Sequence, residues 1–410
     1  MSDMIETVDH IEAVIKVAER CNINCSYCYV FNKGDESFKD RPVKISQRVM
    51  AETAAYLAQG ARDLKASAAT IIFHGGEPLM MGKRNFDTFA KTLLTELSDV
   101  PNVRLGIQTN AMLLDDEWVD IFARHRMSAG VSLDGPEEIN DLERKDLRGR
   151  GTYQRTVDGL RLLQKRAKQG DLPWPGVISV IHPKANGRTC YRHFVDDLGV
   201  RGMTFHLPMD THDSFRGQDP MVYAQFLCDV FDEWVKDNTK DIYVRMFSQL
   251  LSFFSGKAAP EDKKPHHVRL QHLTIESDGS VGIDELKPTR LDTGRYNVGS
   301  STLREFANSP ASTLLRKLHT RLAEPCLPCV WRNYCRGGLQ HGVQVNRWSD
   351  ARGFDNASVL CDGLMKIYSH IAHHALAAGL PEERIVTALE HIPSDFSPSK
   401  GLDRDAFLAI

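Results

Sequence analysis

The chain has 410 residues, which predicts two or three domains, or one barrel with an appended domain. Hydrophobic residues make up 42% of it and charged residues 26%, a balance typical of a folded globular protein and not of a disordered chain. The formal charge of −3 gives no general field for nucleic acid or an anionic membrane, no apolar run approaches the roughly 18 residues of a membrane span, and the acidic start lacks a signal peptide. We therefore expect a cytoplasmic protein with neither nucleic acid nor membrane as a partner.

Short apolar runs alternate with amphipathic runs through the first part of the chain. Strands are predicted over residues 13–17, 70–73, 103–107, 129–133, 176–181 and 203–207. Helices are predicted over residues 46–57, 85–97, 117–124, 153–165 and 220–235. Strands in series with helical crossovers predict a parallel sheet, and right-handed crossovers would curl it into a full or partial barrel with its ligand sites at the carboxyl ends of the strands.

The alternation stops near residue 240. A hairpin signal, Ser277–Ser280, lies between two short apolar runs. A turn-rich stretch follows, and then helices near 364–378 and 381–389. The predicted fold class is α/β, a partial (β/α)6 barrel followed by a smaller irregular α+β domain. The predicted divisions are a barrel over residues 1–235, a linker over 236–265 that contains Pro260–Pro265, a second domain over 266–380 and a tail over 381–410.

Seven of the nine cysteines fall in two groups. The N-terminal group is Cys21, Cys25 and Cys28, and the C-terminal group is Cys326, Cys329, Cys335 and Cys361. Because reducing compartments disfavour disulfides, clustered cysteines there indicate metal ligands. Cys190 and Cys228 stand alone, and we expect both to be inert buried residues.

The N-terminal group follows the first predicted strand directly. Three thiolates can hold three irons of a [4Fe–4S] cluster and leave the fourth iron open to a small molecule that offers an amine and a carboxylate. A zinc site completed by a distant histidine is the alternative, although zinc sites usually pair C-x2-C units.

The segment Cys21–Tyr29 resembles the signature of radical S-adenosylmethionine (SAM) enzymes, in which an aromatic residue, here Tyr27, precedes the third cysteine. The resemblance implies that the open iron chelates the amino and carboxylate groups of SAM. It also implies that one electron, from an external donor of the flavodoxin or ferredoxin kind, releases a 5′-deoxyadenosyl radical that abstracts hydrogen from C–H bonds.

Further motifs occur in the order of that family. Gly75, Gly76 and Glu77, in His74–Pro78, resemble the motif that receives the SAM amino group, and Asn110 ends a motif near the ribose. The resemblance places Ser132 and Arg144 on the SAM carboxylate, for which a guanidinium offers fixed bidentate donors. Without the resemblance, these segments are plain turns and a basic loop.

The C-terminal group alone indicates structural zinc or an iron–sulfur cluster. Behind a radical SAM core it resembles the SPASM extension of peptide-modifying enzymes, which can hold two auxiliary clusters. The four cysteines match the ligands of the distal cluster. The proximal cluster's ligands are replaced, one near Ile283-Asp284 and one by Leu339, while Glu285 and Lys287 lie nearby. We therefore predict one auxiliary [4Fe–4S] cluster.

Three segments give a narrower resemblance to the cyclophane-forming maturases of glycine-rich-repeat and FxSxx-type precursors. These segments are 28–35 with Arg41-Pro42, 276–287 and 353–361. The resemblance implies a ribosomal precursor peptide as the partner and a crosslink between an aromatic ring carbon and a β-carbon. Because 20 residues precede Cys21, no separate N-terminal leader-binding domain is expected.

Such a crosslink is a two-electron oxidation that releases one proton after the carbon radical adds to the ring. An auxiliary cluster would accept the electron, and the candidates to accept the proton are Asp210, His206, His212 and Asp284. One alternative is the same radical chemistry ending in a thioether, an epimerised centre or an oxidised side chain. A second alternative, from another class, is a non-catalytic structural zinc protein.

Overall fold

The computed structural model describes residues 4–256, 269–291, 294–341, 344–390 and 397–398. The Pro260–Pro265 part of the predicted linker and most of the predicted tail lie outside these residues. In the described part, no helix combines the length and apolar character needed to cross a membrane.

The strands are β1 His10–Ala18, β2 Ile23–Cys25, β3 Ala68–Gly75, β4 Asn102–Thr109, β5 Ser128–Ser132, β6 Arg144–Asp146, β7 Gly176–Val180, β8 Gly202–His206, β9 Tyr243–Val244, β10 Arg269–Ile275, β11 Ser280–Gly282, β12 Tyr296–Asn297, β13 Arg321–Leu322 and β14 Ser397–Pro398. The helices are α1 Gln47–Asp63, α2 Lys83–Glu96, α3 Asp116–Arg124, α4 Glu137–Glu143, α5 Tyr153–Lys168, α6 Gly187–Arg192, α7 Pro220–Asp237, α8 Arg245–Phe254, α9 Leu303–Ala307, α10 Pro310–Thr320, α11 Arg332–Cys335, α12 Cys361–Ala377 and α13 Glu382–Glu390.

One sheet of ten strands organises the chain, in the order β12-β11-β10-β1-β3-β4-β5-β7-β8-β9. The six predicted strands are β1, β3, β4, β5, β7 and β8, and each pairs in parallel with its neighbour. The order ends at β12 on one side and at β9 on the other, so the barrel is open. The predicted partial α/β barrel is confirmed.

The segment after the barrel extends the barrel's own sheet. Strand β10 pairs in parallel with β1, with Ile15 opposite Ile275, and forms the predicted hairpin with β11. The smaller C-terminal region therefore begins inside the hydrogen-bonded sheet, next to the strand that leads to the first cysteine.

Alternation along the strands separates a helix-covered face from an inner face. On β3, Phe73 is fully buried and its ring lies 4.4 Å from that of Phe86 on α2. The alternate residues His74, Ser132 and His206 are half-buried at the carboxyl ends of β3, β5 and β8. Because successive side chains point to opposite faces, these three line the inside of the barrel.

Short elements escaped prediction because a few residues carry little periodicity. Helix α6 has six residues and continues into a π-helical turn at His193–Asp197, and α4 has seven. The two-stranded sheet of β2 and β6 was also missed, although it places Cys25 directly opposite Arg144. Its three-residue strands bring the cysteine loop to the site.

Candidate functional site

The loop that carries Cys21, Cys25 and Cys28 leaves the carboxyl end of β1 and is fixed by hydrogen bonds within itself. The Cys28 N–H donates to the Cys25 carbonyl at 3.0 Å, and Asn32 Nδ2 donates to the same carbonyl at 2.7 Å. Pairing of β2 with β6 then anchors Cys25 against Arg144. The three thiols are thereby held on one short, braced segment.

The three thiols share one buried environment. Burial, followed by the charge of Glu77 and the neighbouring thiolates, raises the pKa of Cys21 to about 12, and burial also raises the pKa of Cys25 and Cys28. Three thiolates there require a positive group to offset them. A four-iron cluster suits the loop, because each thiolate then binds a different iron.

A hydrogen-bonded chain of three side chains lies beside this loop. Arg144 Nη1 donates to the Tyr27 oxygen at 2.9 Å, and the Tyr27 hydroxyl donates to Asp134 Oδ2 at 2.5 Å. Arg144 is 5% exposed, and its buried Nε has no hydrogen-bond partner among the described residues. A buried guanidinium with a free donor fits a carboxylate ligand such as that of SAM.

Glu77 joins the ends of two strands. Its Oε1 accepts from Leu79 N at 3.1 Å and Thr109 Oγ1 at 2.7 Å, and its Oε2 accepts from Asn110 N at 2.8 Å. Burial outweighs these donors and raises the pKa of Glu77 to about 7. Both carboxylate oxygens therefore bind the protein, and contact with the SAM amino group stays a prediction.

The two glycines before Glu77 are required by close packing of the protein backbone. A Cβ atom at Gly75 would lie 2.2 Å from the Ala18 carbonyl oxygen, and one at Gly76 would lie 2.3 Å from the Arg20 carbonyl oxygen. Only glycine lets the end of β3 lie this close to the chain that leads into the cysteine loop.

Asn110 and Ser132 end β4 and β5 on the same edge of the sheet. Asn110 Nδ2 donates to Asn22 Oδ1 at 2.7 Å and lies 3.9 Å from Cys21 Sγ. Ser132 Oγ accepts from Gln108 Nε2 at 2.8 Å on the inner face. The structure thus brings both residues to the edge that carries the cysteine loop.

The proposed proton acceptors have different surroundings. Burial alone would raise the pKa of Asp284, but the ammonium groups of Lys16 at 2.8 Å and Lys287 at 2.9 Å outweigh it and hold the pKa below its usual range. Burial and then the charge of Arg245 lower the pKa of His206 to about 4, so its ring is neutral at physiological pH.

Asp210 and His212 follow β8 and contact other regions. Asp210 Oδ1 accepts from Lys33 Nζ of the cysteine loop at 2.9 Å, and the Asp210 carbonyl accepts from Asn346 Nδ2 at 2.7 Å. His212 Nε2 lies 2.8 Å from the Ala357 carbonyl oxygen. This short segment therefore joins the cysteine loop to the C-terminal region.

Sequence reasoning missed Lys16 on β1, which is fully buried. Its ammonium lies 2.8 Å from Asp284 and 3.3 Å from Glu276, and Lys287 lies 2.7 Å from Glu276. The sequence feature that could have revealed it is a single lysine inside an apolar strand. A lysine buried there needs a paired carboxylate. Its partners lie more than 250 residues away in sequence.

The four C-terminal cysteines come from separate turns and lie near enough for their charges to interact. Burial raises the pKa of Cys335 to about 12 and that of Cys361 to about 11. The thiolates of Cys326 and Cys329 add to the effect at Cys361, and those of Cys361 and Cys326 add to it at Cys335. Cys326 is buried and the other three are half-buried. Four neighbouring thiolates fit the cationic core of an iron–sulfur cluster.

Comparison with known proteins identifies the family. The model of the radical SAM superfamily matches residues 15–178. A protein of Synechocystis sp. is 30% identical over 347 residues, which cover 79% of this chain and 82% of that protein. The chain belongs to the radical SAM superfamily. Its members bind a [4Fe–4S] cluster and SAM, so a purely structural zinc protein is not favoured.

Two further similarities cover most of the chain. The serine-type anaerobic sulfatase-maturating enzyme of Bacteroides thetaiotaomicron is 25% identical over 374 residues, 86% of this chain and 87% of that enzyme. The solved structure described as native anSMEcpe with bound AdoMet and Cp18Cys peptide has a TM-score of 0.72 at 22% identity and covers 94% of this chain and 100% of its own. The radical SAM chain therefore shares this fold over nearly its full length.

Proposed function

We propose that this radical SAM enzyme modifies a side chain of a ribosomal precursor peptide and joins an aromatic ring carbon to a β-carbon. A sulfatase-maturating relative and a similar fold that holds both AdoMet and a peptide support a peptide or protein substrate. The three segments that resemble cyclophane-forming maturases support the crosslink. The observation that carries the proposal is the Asp210 segment, which contacts both Lys33 of the cysteine loop and Asn346 of the C-terminal region.

The chain's residues divide into two sets. Cys21, Cys25 and Cys28 hold the cluster that binds SAM, and Arg144 takes the SAM carboxylate while Tyr27 and Asp134 fix the guanidinium. When bound, the cluster and SAM supply the carbon radical that removes hydrogen from the substrate. The second set, Cys326, Cys329, Cys335 and Cys361, holds one auxiliary [4Fe–4S] cluster. An external flavodoxin- or ferredoxin-like donor supplies the initiating electron.

The crosslink also needs a proton acceptor near the inner face of the barrel. Asp284 is the weakest of the four candidates, because two lysines hold it ionised. His206 faces the lumen as a neutral ring, and Asp210 lies next to Lys33 at 2.9 Å. The variants Asp210→Asn, His206→Gln and Asp284→Asn separate them: loss of the crosslink with continued deoxyadenosine release identifies the acceptor.

A second candidate is maturation of a sulfatase, which the 25% identity to a serine-type sulfatase-maturating enzyme over 86% of this chain favours. Oxidation of a single side chain is the outcome that we consider for it. Oxidation of a serine to an aldehyde and formation of a crosslink both remove two hydrogens, so intact mass does not separate them. An aldehyde reacts with a hydrazide reagent, whereas a crosslink suppresses fragmentation between the joined residues.

The decisive experiment is coexpression with short peptides encoded beside the enzyme's gene, with the Cys25→Ala variant as the control. We expect a peptide that loses two hydrogens, does not react with a hydrazide and resists fragmentation across an aromatic residue. A hydrazide-reactive product would replace the crosslink by side-chain oxidation. Unmodified peptide together with abundant deoxyadenosine would reject the peptide substrate tested.

A further inference from the structure

Arg347 is a completely buried charge next to the C-terminal cysteines. Its side chain is 0% exposed, and its nitrogens donate to main-chain carbonyls: to Phe354 at 2.9 Å, Arg321 at 3.1 Å, Asn356 at 3.3 Å and Leu318 at 3.3 Å. Neutral carbonyls orient the guanidinium but do not cancel its charge. A buried ion without a counter-charge is strongly unfavourable.

Iron-bound thiolates of Cys326 and Cys335 would supply the counter-charge. Among the described residues, no carboxylate lies within 4.0 Å of Arg347; Asp355 acts on it from farther away and pairs with Arg352 at 3.5 Å. Burial, which opposes the charge, lowers the pKa of Arg347 to about 10, and the Cys326 thiolate is the largest of the charges that oppose this shift. A Cβ atom at Gly337, two residues after Cys335, would lie 3.2 Å from Arg347 Cδ, so the cysteine turn wraps this side chain.

Two donors act on Cys335 itself. The hydroxyl of Tyr368 and the N–H of Gly338 both hydrogen-bond its sulfur and favour its thiolate form. Tyr368 is fully buried on α12, the helix that begins at Cys361. Cys335 therefore has a hydroxyl and an amide donor, and the Arg347 guanidinium is the cation that acts on Cys326, while the carboxylates of Asp355 and Asp362 are the nearby anions.

We infer that Arg347, assisted by Tyr368, raises the reduction potential of the auxiliary cluster and so makes it an electron acceptor. The inference rests on the cluster named in the proposed function. Reduction adds a negative charge to the cluster, and a fixed positive charge and hydrogen bonds to sulfur stabilise the more negative state. Arg347 acts through the cluster's ligands and is a positioning and tuning residue.

The test is a potentiometric titration of full-length protein in which Cys21, Cys25 and Cys28 are replaced by alanine, so that only the C-terminal cluster contributes. Arg347→Met should lower the equilibrium constant for reduction of the cluster at least tenfold. For one electron, this is a fall in reduction potential of about 59 mV. Arg347→Lys should stay near the starting value, because it keeps the charge. Tyr368→Phe, which removes only the hydroxyl, should move the potential in the same direction by less.

Arg384→Met is the control, since its side chain is exposed on α13. It should leave the potential unchanged. An iron-loaded Arg347→Met protein with an unchanged potential would overturn the inference, and so would an equal shift in Arg384→Met. If Arg347→Met does not fold, an unchanged Tyr368→Phe potential overturns it. Absence of iron from the starting protein would reject the auxiliary cluster and this inference together, whereas failure to find a crosslink would leave the measured potentials valid.

Discussion

The two cysteine groups both gather buried thiols, but they differ in what surrounds them. Beside the N-terminal loop, Arg144 contacts Tyr27 and keeps a buried nitrogen free among the described residues. Beside the C-terminal group, Arg347 has its nitrogens taken up by four main-chain carbonyls. An arginine with a nitrogen that has no partner suits a site that receives a ligand, and an arginine whose three nitrogens all donate to main-chain carbonyls suits a closed site that is tuned electrostatically.

The difference also follows from ligand number. Three thiolates leave one iron open, and the loop lies at the carboxyl edge of the strands where barrel sites form. In the proposed function, four thiolates on separate turns complete the auxiliary cluster. The proposal assigns substrate activation to the first group and electron acceptance to the second.

Breaking each group in turn should give the largest effect. Cys25→Ala should reduce deoxyadenosine release to background, because the SAM-binding cluster loses a ligand. Cys361→Ala should keep deoxyadenosine release and lose the modified peptide. Quantification of both products by mass spectrometry checks this division. Equal loss of deoxyadenosine in both variants would contradict it.

The second prediction tests whether Arg144 binds the SAM carboxylate. Arg144→Lys keeps the positive charge but loses the bidentate guanidinium. Because a hydrogen bond to a charged group contributes about 1.5–3 kcal/mol, SAM affinity should fall roughly 10- to 100-fold. Arg150→Lys is the control, because Arg150 follows β6 and its side chain is 63% exposed. Equilibrium binding of SAM to the reconstituted protein measures both. Equal affinities in the two variants would remove Arg144 from the site.

The third prediction concerns the hydrogen bonds by which Glu77 joins two strand ends beside the N-terminal cysteine loop. Glu77→Gln places an amide NH2 opposite the Asn110 N–H or the two donors on Oε1. A buried donor then loses its acceptor, which should cost about 1–3 kcal/mol of unfolding free energy. The exposed Glu117→Gln should change it by less than about 0.5 kcal/mol. Denaturant titration gives both values, and a stability loss confined to SAM-bound protein would instead indicate a direct role in binding.

The smallest effect concerns His206. Its pKa is lowered in the folded state to about 4 from 6.5, so the unfolded chain binds more protons between these values and stability falls as pH falls through this range. His206→Gln should lose less stability than the native protein between pH 6.5 and pH 4. The exposed His373→Gln serves as the control. Parallel curves for native protein and His206→Gln would show that the ring is not held neutral.

The barrel could be predicted from the sequence because its information is local. Each of the six strands was found from its apolar run, and the first cysteine of the loop follows the end of one of them by three residues. The positions of Arg144 and Tyr27 depended on a family resemblance, and their contact was set by the unpredicted pairing of β2 with β6.

Buried charges were the part that the sequence did not reveal. Lys16 is neutralised by residues 260 and 268 positions away, and Arg347 lies near Cys326 and Cys335 on other turns. Neither arrangement leaves a periodic pattern in the sequence, because each depends on how turns of the C-terminal region are placed in the fold. From their sequence neighbours alone, Lys16 and Arg347 cannot be distinguished from ordinary exposed basic residues.

The central claim is that the Cys21–Cys28 loop holds a cluster that cleaves SAM. The most direct measurement is 5′-deoxyadenosine formation by anaerobically reconstituted protein with dithionite and SAM, compared with the Cys25→Ala variant. The account predicts release by the native protein, stimulated by its peptide, and none by the variant. Iron-loaded native protein that forms no deoxyadenosine with its peptide present would contradict it.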